Sequence, residues 1–242
     1  MKKIITAAVL LAGAYLPAQA QIGAGTILLG GSLGYSSQKT EGSLGFTNTN
    51  ELLSKENRFS ASPTAAYFLA DNLAVGINLG YSRGTTIQNF YAVSLPGSPN
   101  PSVRLIGESE QVSRSFSVGP MARYYKFVGD KAAFFGQLGG GYRSSRSEIT
   151  SPPGVFGGTN QLTTGSGFYG VLSPGFAFFP SDKFGLEVSL CGLGYQRLNQ
   201  ETNYIAPSTP EPNPRKSTLS TFDAGLGLSS LQLGAAFYLG RK

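Results

Sequence analysis

Few residues of this chain are equipped for acid–base, nucleophilic or metal chemistry. Its 242 residues include no His and a single Cys, Cys191. Without His there is no Ser-His-Asp triad, no His general base and no His-ligated metal. One Cys supports neither an intramolecular disulfide nor a Cys-rich zinc site. What remains is a set of charged and amide side chains set in otherwise apolar, alternating segments: Arg58, Arg123, Gln137, Arg143, Glu187 and Asp223. Charges enclosed in a narrow interior must be paired or hydrated. The chemistry predicted for these six is therefore ion pairing, with Glu187 and Asp223 on neighbouring strands meeting some of the arginines. Such a network is either a plug that staples an interior or a gate in a narrow conduit. No catalytic residue, metal site or cofactor is predicted. Gly139-Gly140-Gly141 and Gly23-Ala24-Gly25 lie in or beside strands with no following helix, so neither is a phosphate loop.

The elements that must position these residues are set by composition and periodicity. Charged residues make up 13% of the chain, about half the roughly 25% of an ordinary soluble domain. Gly is abundant at 33 residues and aromatics reach 12%. At the N-terminus, Met1-Lys2-Lys3 is a short basic stretch and Ile4 to Leu16 is apolar. Pro17-Ala18-Gln19-Ala20 then offers an Ala-x-Ala cleavage site before Gln21. These parts in this order predict a secretory signal peptide over residues 1–20 and a mature domain over 21–242. The apolar run falls well short of the roughly 20 residues a spanning helix needs. No Cys follows the cleavage site, which argues against a lipid anchor there. Cleavage removes Lys2 and Lys3 and lowers the net charge of +6 by two.

Beyond Gln21 the chain alternates with period two. From Leu73 to Ser82 the odd positions are Leu73, Val75, Ile77, Leu79 and Tyr81, and the even ones Ala74, Gly76, Asn78, Gly80 and Ser82. That pattern predicts a strand with one apolar face. Thr26–Ser36, Phe59–Ala70, Val112–Tyr125, Ala132–Arg143, Phe168–Phe179, Phe184–Arg197 and Thr218–Leu239 read as strands on the same grounds. The last two carry phase slips, near Cys191-Gly192 and near Ser229-Ser230, where β-bulges are expected. Short links at Asp71-Asn72, Val128–Lys131 and Pro180–Lys183 alternate with long ones at Ser37–Asn57, Gly84–Gln111, Ser144–Ser166 and Leu198–Ser217. An internal repeat runs in parallel. Pro63, Pro120 and Pro174 each precede an aromatic pair (Tyr67-Phe68, Tyr124-Tyr125, Phe178-Phe179), an acidic turn, and a strand ending Gly80-Tyr81, Gly141-Tyr142 or Gly194-Tyr195. Repeated hairpins plus a first and a last strand fit a closed eight-stranded antiparallel up-and-down barrel.

The small non-apolar face decides which side of that barrel is wet. Ala, Gly, Asn and Ser suit the crowded interior of eight strands rather than a solvated exterior. The bulky apolar face then points outward, which is stable only in lipid. Closure satisfies every backbone polar group, as the bilayer requires. This predicts a transmembrane β-barrel with four long extracellular loops and three short periplasmic turns. Tyr67 and Tyr124 fall at the short-turn ends of their strands, and Tyr35, Tyr81, Tyr142 and Tyr195 at the long-loop ends. They are the expected interface girdles. Arg114 points outward near the long-loop end, where it is expected to snorkel toward lipid phosphates. Lys126 lies at the opposite rim.

The signal peptide, the Pro63–Phe68 strand end, the Asp71-Asn72 turn and the Leu79–Tyr81 strand end together resemble the bacterial outer-membrane β-barrel family. That family includes the OmpA-like transmembrane domain and the OmpX-like and OmpW-like small barrels. The resemblance spans residues 21–242. It implies residence in the outer membrane of a Gram-negative-type cell, with the lipid bilayer, lipopolysaccharide and the assembly machinery as partners. Such barrels commonly end on an aromatic residue read by that machinery, whereas this chain ends Phe237-Tyr238-Leu239-Gly240-Arg241-Lys242, so the signal is expected to be displaced inward. The function expected is non-enzymatic: a structural or surface-interaction barrel, its lumen largely filled by polar side chains and its loops free to meet an unidentified ligand. The alternative is a narrow porin-like or OmpW-like channel for small or apolar solutes, favoured by a lateral opening or by a crevice lined by Phe90, Tyr91 or Phe156. Lipid-modifying and proteolytic barrels of this size rely on a catalytic His. The nearly neutral loops leave no footprint for nucleic acid.

Overall fold

The period-two segments form strands throughout a computed structural model of the chain. It describes residues 21–44, 50–93, 103–151, 160–190, 192–205, 214–225 and 231–241. The signal peptide, Cys191, Phe156 and the expected slip at Ser229-Ser230 lie outside the described residues. Ten strand segments follow one another: β1 (Ile27–Ser43), β2 (Asn50–Ala70), β3 (Leu73–Val93), β4 (Val103–Phe127), β5 (Ala132–Thr150), β6 (Asn160–Ser181), β7 (Phe184–Ser189), β8 (Leu193–Ile205), β9 (Arg215–Ala224) and β10 (Gln232–Leu239).

These ten segments fill eight positions of one antiparallel ring. Each of β1 to β5 pairs with the next, and β5 pairs with β6. β6 then pairs with β7 in its half near the short turns and with β8 in its other half, so β7 and β8 share the seventh position. β10 and β9 share the eighth in the same way. Pairing of β1 with β10, from Ile27↔Leu239 to Leu33↔Leu233, closes the ring. The interruption between β7 and β8 shifts the inward positions from odd (Glu187, Ser189) to even (Gly194, Gln196), the slip expected near Cys191-Gly192.

The short turns have the chemistry that tight hairpins need. Asn72 adopts φ 63° at the β2–β3 turn and Gly129 φ 74° at the β4–β5 turn. Asn and Gly are the residues that tolerate this left-handed region. The long links differ from expectation, because most of their length is drawn into strands. β1 runs on to Ser43 and β2 begins at Asn50; β4 and β5 likewise extend from Val103 and to Thr150. Their Ser, Thr and Asn side chains bond across the ladder: Ser37 Oγ donates to Asn57 Oδ1 at 2.8 Å and Gln111 Nε2 to Ser147 Oγ at 3.0 Å. Polar strands of this kind need no apolar face because they stand above the bilayer.

The outer face is apolar over the middle of the ring. Leu29, Leu33, Ile77, Leu79, Leu138, Leu172, Leu186, Leu233 and Phe237 are all exposed on it. An apolar band encircling a closed barrel is covered by lipid rather than water. The chain is thus an all-β, eight-position transmembrane barrel.

Candidate functional site

Strand parity carries Arg123 on β4, Gln137 on β5 and Glu187 on β7 into the lumen, and these three meet. Arg123 Nη1 donates to both oxygens of Glu187 at 2.8 Å, and Nε and Nη2 donate to Gln137 Oε1 at 2.9 and 2.6 Å. The two charged side chains are 7% and 9% exposed. Two residues missed by sequence reasoning complete the group. Tyr125 OH accepts from Arg123 Nη1 at 2.8 Å, and Tyr238 OH donates to Glu187 Oε1 at 2.8 Å. The two phenol oxygens lie 3.0 Å apart. A signal for Tyr125 was present, since it stands two positions from Arg123 and so shares its face. Tyr238 lies beyond the slip expected near Ser229-Ser230, past which the parity of the last strand could not be carried forward from the sequence.

Beneath this layer the interior is aromatic, which corrects the expectation of a lumen filled mainly by polar side chains. Phe68, Phe127, Phe135 and Phe179 are buried with Ile22 and Leu28. Phe68 lies 5.8 Å from the Tyr125 ring, Phe135 5.6 Å from it, and Phe179 5.2 Å from the Tyr238 ring. Gly175, opposite Phe135 on β6, makes the space for its ring: a Cβ there would fall inside it. The segment before β1 seals the floor. Ile22 N donates to Asn72 Oδ1 at 3.0 Å while Asn72 N donates back to Ile22 O at 2.9 Å. Arg241 lies over the Phe179 ring at 4.3 Å. Burial lowers its pKa from the ordinary guanidinium value, an effect partly offset by the Asp182 carboxylate. Rings exclude water from this end, which strengthens the ion pair above them.

Above the layer the lumen is polar and hollow. A cavity of about 230 Å³ rests on Arg123 and Glu187 and is bordered by Ser62, Asn78, Ser117 and Arg143. It shares Ser62, Ser117 and Arg143 with a wider space of about 500 Å³ that extends to Ser36, Arg58 and Ser82 toward the long links. Arg143 stacks over Tyr169 at 5.0 Å and donates Nη1 to Gln196 Oε1 at 2.9 Å. The expected network of six is thereby corrected. Arg58 pairs with Glu56 on its own strand at 2.8 Å and is largely exposed. Asp223 faces Gly194 across the β8–β9 ladder, exposed and without an ion pair among the described residues. Arg58, Arg143 and Asp223 lie at levels nearer the long links than the Arg123 layer, too far along their strands to join it. Among the described residues no group of three or more His, Cys, Asp or Glu could hold a metal.

On the outer face all six tyrosines singled out from the sequence are exposed. Each of the four near the long links stands directly opposite a phenylalanine: Tyr35↔Phe59, Tyr81↔Phe116, Tyr142↔Phe168 and Tyr195↔Phe222. Tyr67 and Tyr124 pair with Ile27 and Leu73 near the short turns. Phe59 and Tyr67 are eight positions apart on β2, as are Phe116 and Tyr124 on β4. That is about 26 Å along a strand, or roughly 20 Å along the axis at a tilt of about 40°. Arg114 is exposed just beyond Phe116. Phe90 and Tyr91 do not open a crevice: they lie in β3 at a register shift, and Tyr91 OH donates to Leu52 O at 2.9 Å.

No protein-family model matches the chain, and no curated protein matches it. Among solved structures it is similar to the outer membrane protein OprG from Pseudomonas aeruginosa, at 14% identity and a TM-score of 0.41. That alignment covers 92% of this chain and 99% of OprG. It is also similar to Ail, the attachment invasion locus protein of Yersinia pestis, at 11% identity and a TM-score of 0.33, covering 89% of this chain and 99% of Ail.

Proposed function

We propose that this chain is a non-enzymatic outer-membrane barrel with a structural or surface-interaction role, shaped as a cup that opens only toward its long links. The observation that carries the reading is the Arg123–Glu187–Gln137 layer resting on an aromatic floor, with hollow polar space above it and packed rings below. A secretory leader followed by a barrel with an apolar belt supports the outer membrane as its location. The long links and their strand extensions then stand outside the cell, where an unidentified ligand would meet them. Thiol labelling tests the cup directly. In a Cys191→Ser background, a Ser62→Cys variant should react with a membrane-impermeant maleimide from the long-link side only. Labelling from the short-turn side would contradict it.

A further inference from the structure

Arg143 on β5 is a cation that the fold positions without neutralising. Its guanidinium stacks over the Tyr169 ring at 5.0 Å and donates Nη1 to Gln196 Oε1 at 2.9 Å. Both partners are neutral. Its Nε is buried and has no hydrogen-bond partner among the described residues. The other charged side chains bordering the lumen spaces are paired: Arg123 with Glu187 at the floor, and Arg58 with Glu56 nearer the long links. Asp223 borders neither space. Among the described residues that border the cup, Arg143 is therefore the one charge with no counter-charge. An enclosed guanidinium with unused donors is costly until an anion or further acceptors reach it.

The surroundings of Arg143 select the anion. It borders both the cavity of about 230 Å³ above the Arg123 layer and the wider space of about 500 Å³ that opens toward the long links. The wider space falls within the roughly 300–1,000 Å³ of small-molecule sites. Its wall is a field of hydroxyls, Ser36, Ser60, Ser62, Ser82, Ser115 and Ser117, contributed by β1 to β4. Period-two parity sets them on the inner face, and Ser82 Oγ lies 2.8 Å from Ser115 Oγ. A hydroxyl both donates and accepts, so such a wall matches a polyhydroxylated ligand rather than an apolar one. The guanidinium fork matches a carboxylate in a bidentate way, and one unpaired charge is balanced by one carboxylate. We propose that the cup binds a hydroxylated monocarboxylate of the size of a sugar acid, with its carboxylate on Arg143 and its hydroxyls on the serine wall. This deepens the cup reading above and rests on it. Tyr169 and Gln196 are positioning residues: they fix the guanidinium before the ligand arrives, which lowers the ordering cost of binding.

The test uses the full chain folded in neutral-detergent micelles, with folding verified by the heat-dependent shift on a gel. Binding is measured by calorimetry for glucuronate, glucose and acetate. Glucuronate should bind more tightly than either of the others by about tenfold or more, since glucose lacks the charge and acetate the hydroxyls. Arg143→Gln should abolish the preference over glucose, whereas Arg114→Gln on the outer face should leave it intact. Ser82→Ala with Ser115→Ala should shrink the preference over acetate. Gln232 borders both spaces, so in the Cys191→Ser background saturating glucuronate should slow maleimide labelling of a Gln232→Cys variant. That protection tests the site without Arg143→Gln, should the latter fail to fold. Equal affinity for glucuronate and glucose, an unchanged preference in Arg143→Gln, or unprotected labelling of Gln232→Cys would overturn the assignment. Equal binding of glucuronate and acetate would reduce the site to a bare carboxylate contact and would equally overturn it. Labelling of Ser62→Cys from the short-turn side would count against the cup reading itself, a separate outcome from a cup labelled only from the long-link side that shows no preference for glucuronate.

Discussion

Arg123 and Glu187 illustrate what a buried charge pair does at the scale of single residues. Each alone would be an uncompensated charge inside a narrow barrel, so removing one partner is far worse than removing both. Arg123→Ala is expected to destabilise the barrel by about 3–5 kcal/mol, while the double change Arg123→Met with Glu187→Leu should recover most of that loss. Urea unfolding of the chain in lipid bilayers measures both, and a double variant as unstable as Arg123→Ala would contradict the pairing. Gly175 supplies a second case. Placing a methyl where the Phe135 ring sits, as in Gly175→Ala, should lower stability by about 1–3 kcal/mol. Phe135→Ala should then relieve that clash in a double-mutant cycle. That Arg123 and Glu187 both face the lumen was legible in the sequence, because both sit at small-residue positions of alternating strands, but which of the arginines meets Glu187 was not. The phenol of Tyr125 was legible by the same parity, two positions from Arg123, whereas that of Tyr238 was not, because the parity of the last strand could not be carried past the slip expected near Ser229-Ser230.

At the scale of elements, period-two alternation was legible wherever a strand has lipid on one side and lumen on the other. The run from Leu73 to Ser82 is the clearest example, and its register with β4 continues unbroken to Phe90↔Gly107. The same strands rise past the bilayer, and there the pattern disappears because both faces meet water. Ser37, Asn57, Gln111 and Ser147 have the composition of a loop yet bond as ladder neighbours. The strand ends were therefore drawn too short. These extensions lack the apolar cover of the spanning region, so their backbone hydrogen bonds are expected to open more readily. Amide hydrogen exchange in bilayers should be faster over residues 37–43 and 50–57 than over 27–33 and 61–67, and equal protection would contradict this. The β2–β3 turn makes a sharper prediction. Asn72 combines φ 63° with a side-chain bond to Ile22 N. Asn72→Val should cost about 1–3 kcal/mol through backbone strain and the lost bond, and Asn72→Gly should cost less because only the bond is lost. Thermal unfolding followed by the gel shift checks the order.

Over the whole molecule, closure converts these local patterns into a compartment. Eight strand positions leave a lumen narrow enough for one layer of side chains to block it. Charge pairing and aromatic packing share that task between them. The polar cup and the sealed floor face different surroundings, the long-link side above and the short-turn side below. The antiparallel order and the inside-out arrangement followed from link lengths and from the small residues on one face. The seal did not: parity places Phe68 on the face opposite Phe59, but that inner face reads as a row of small and polar residues, and only the packing of β2, β4, β5, β6 and β10 around one interior shows that Phe68, Phe135 and Phe179 meet there. The most direct test is single-channel recording in a planar bilayer, with folding confirmed by the heat-dependent gel shift. The folded native barrel should pass no resolvable current. Removal of the seal, with Arg123→Ala, Tyr125→Ala and Tyr238→Ala together, should open reproducible steps. Steady conductance from the folded native barrel would contradict a lumen closed at the Arg123–Glu187 layer.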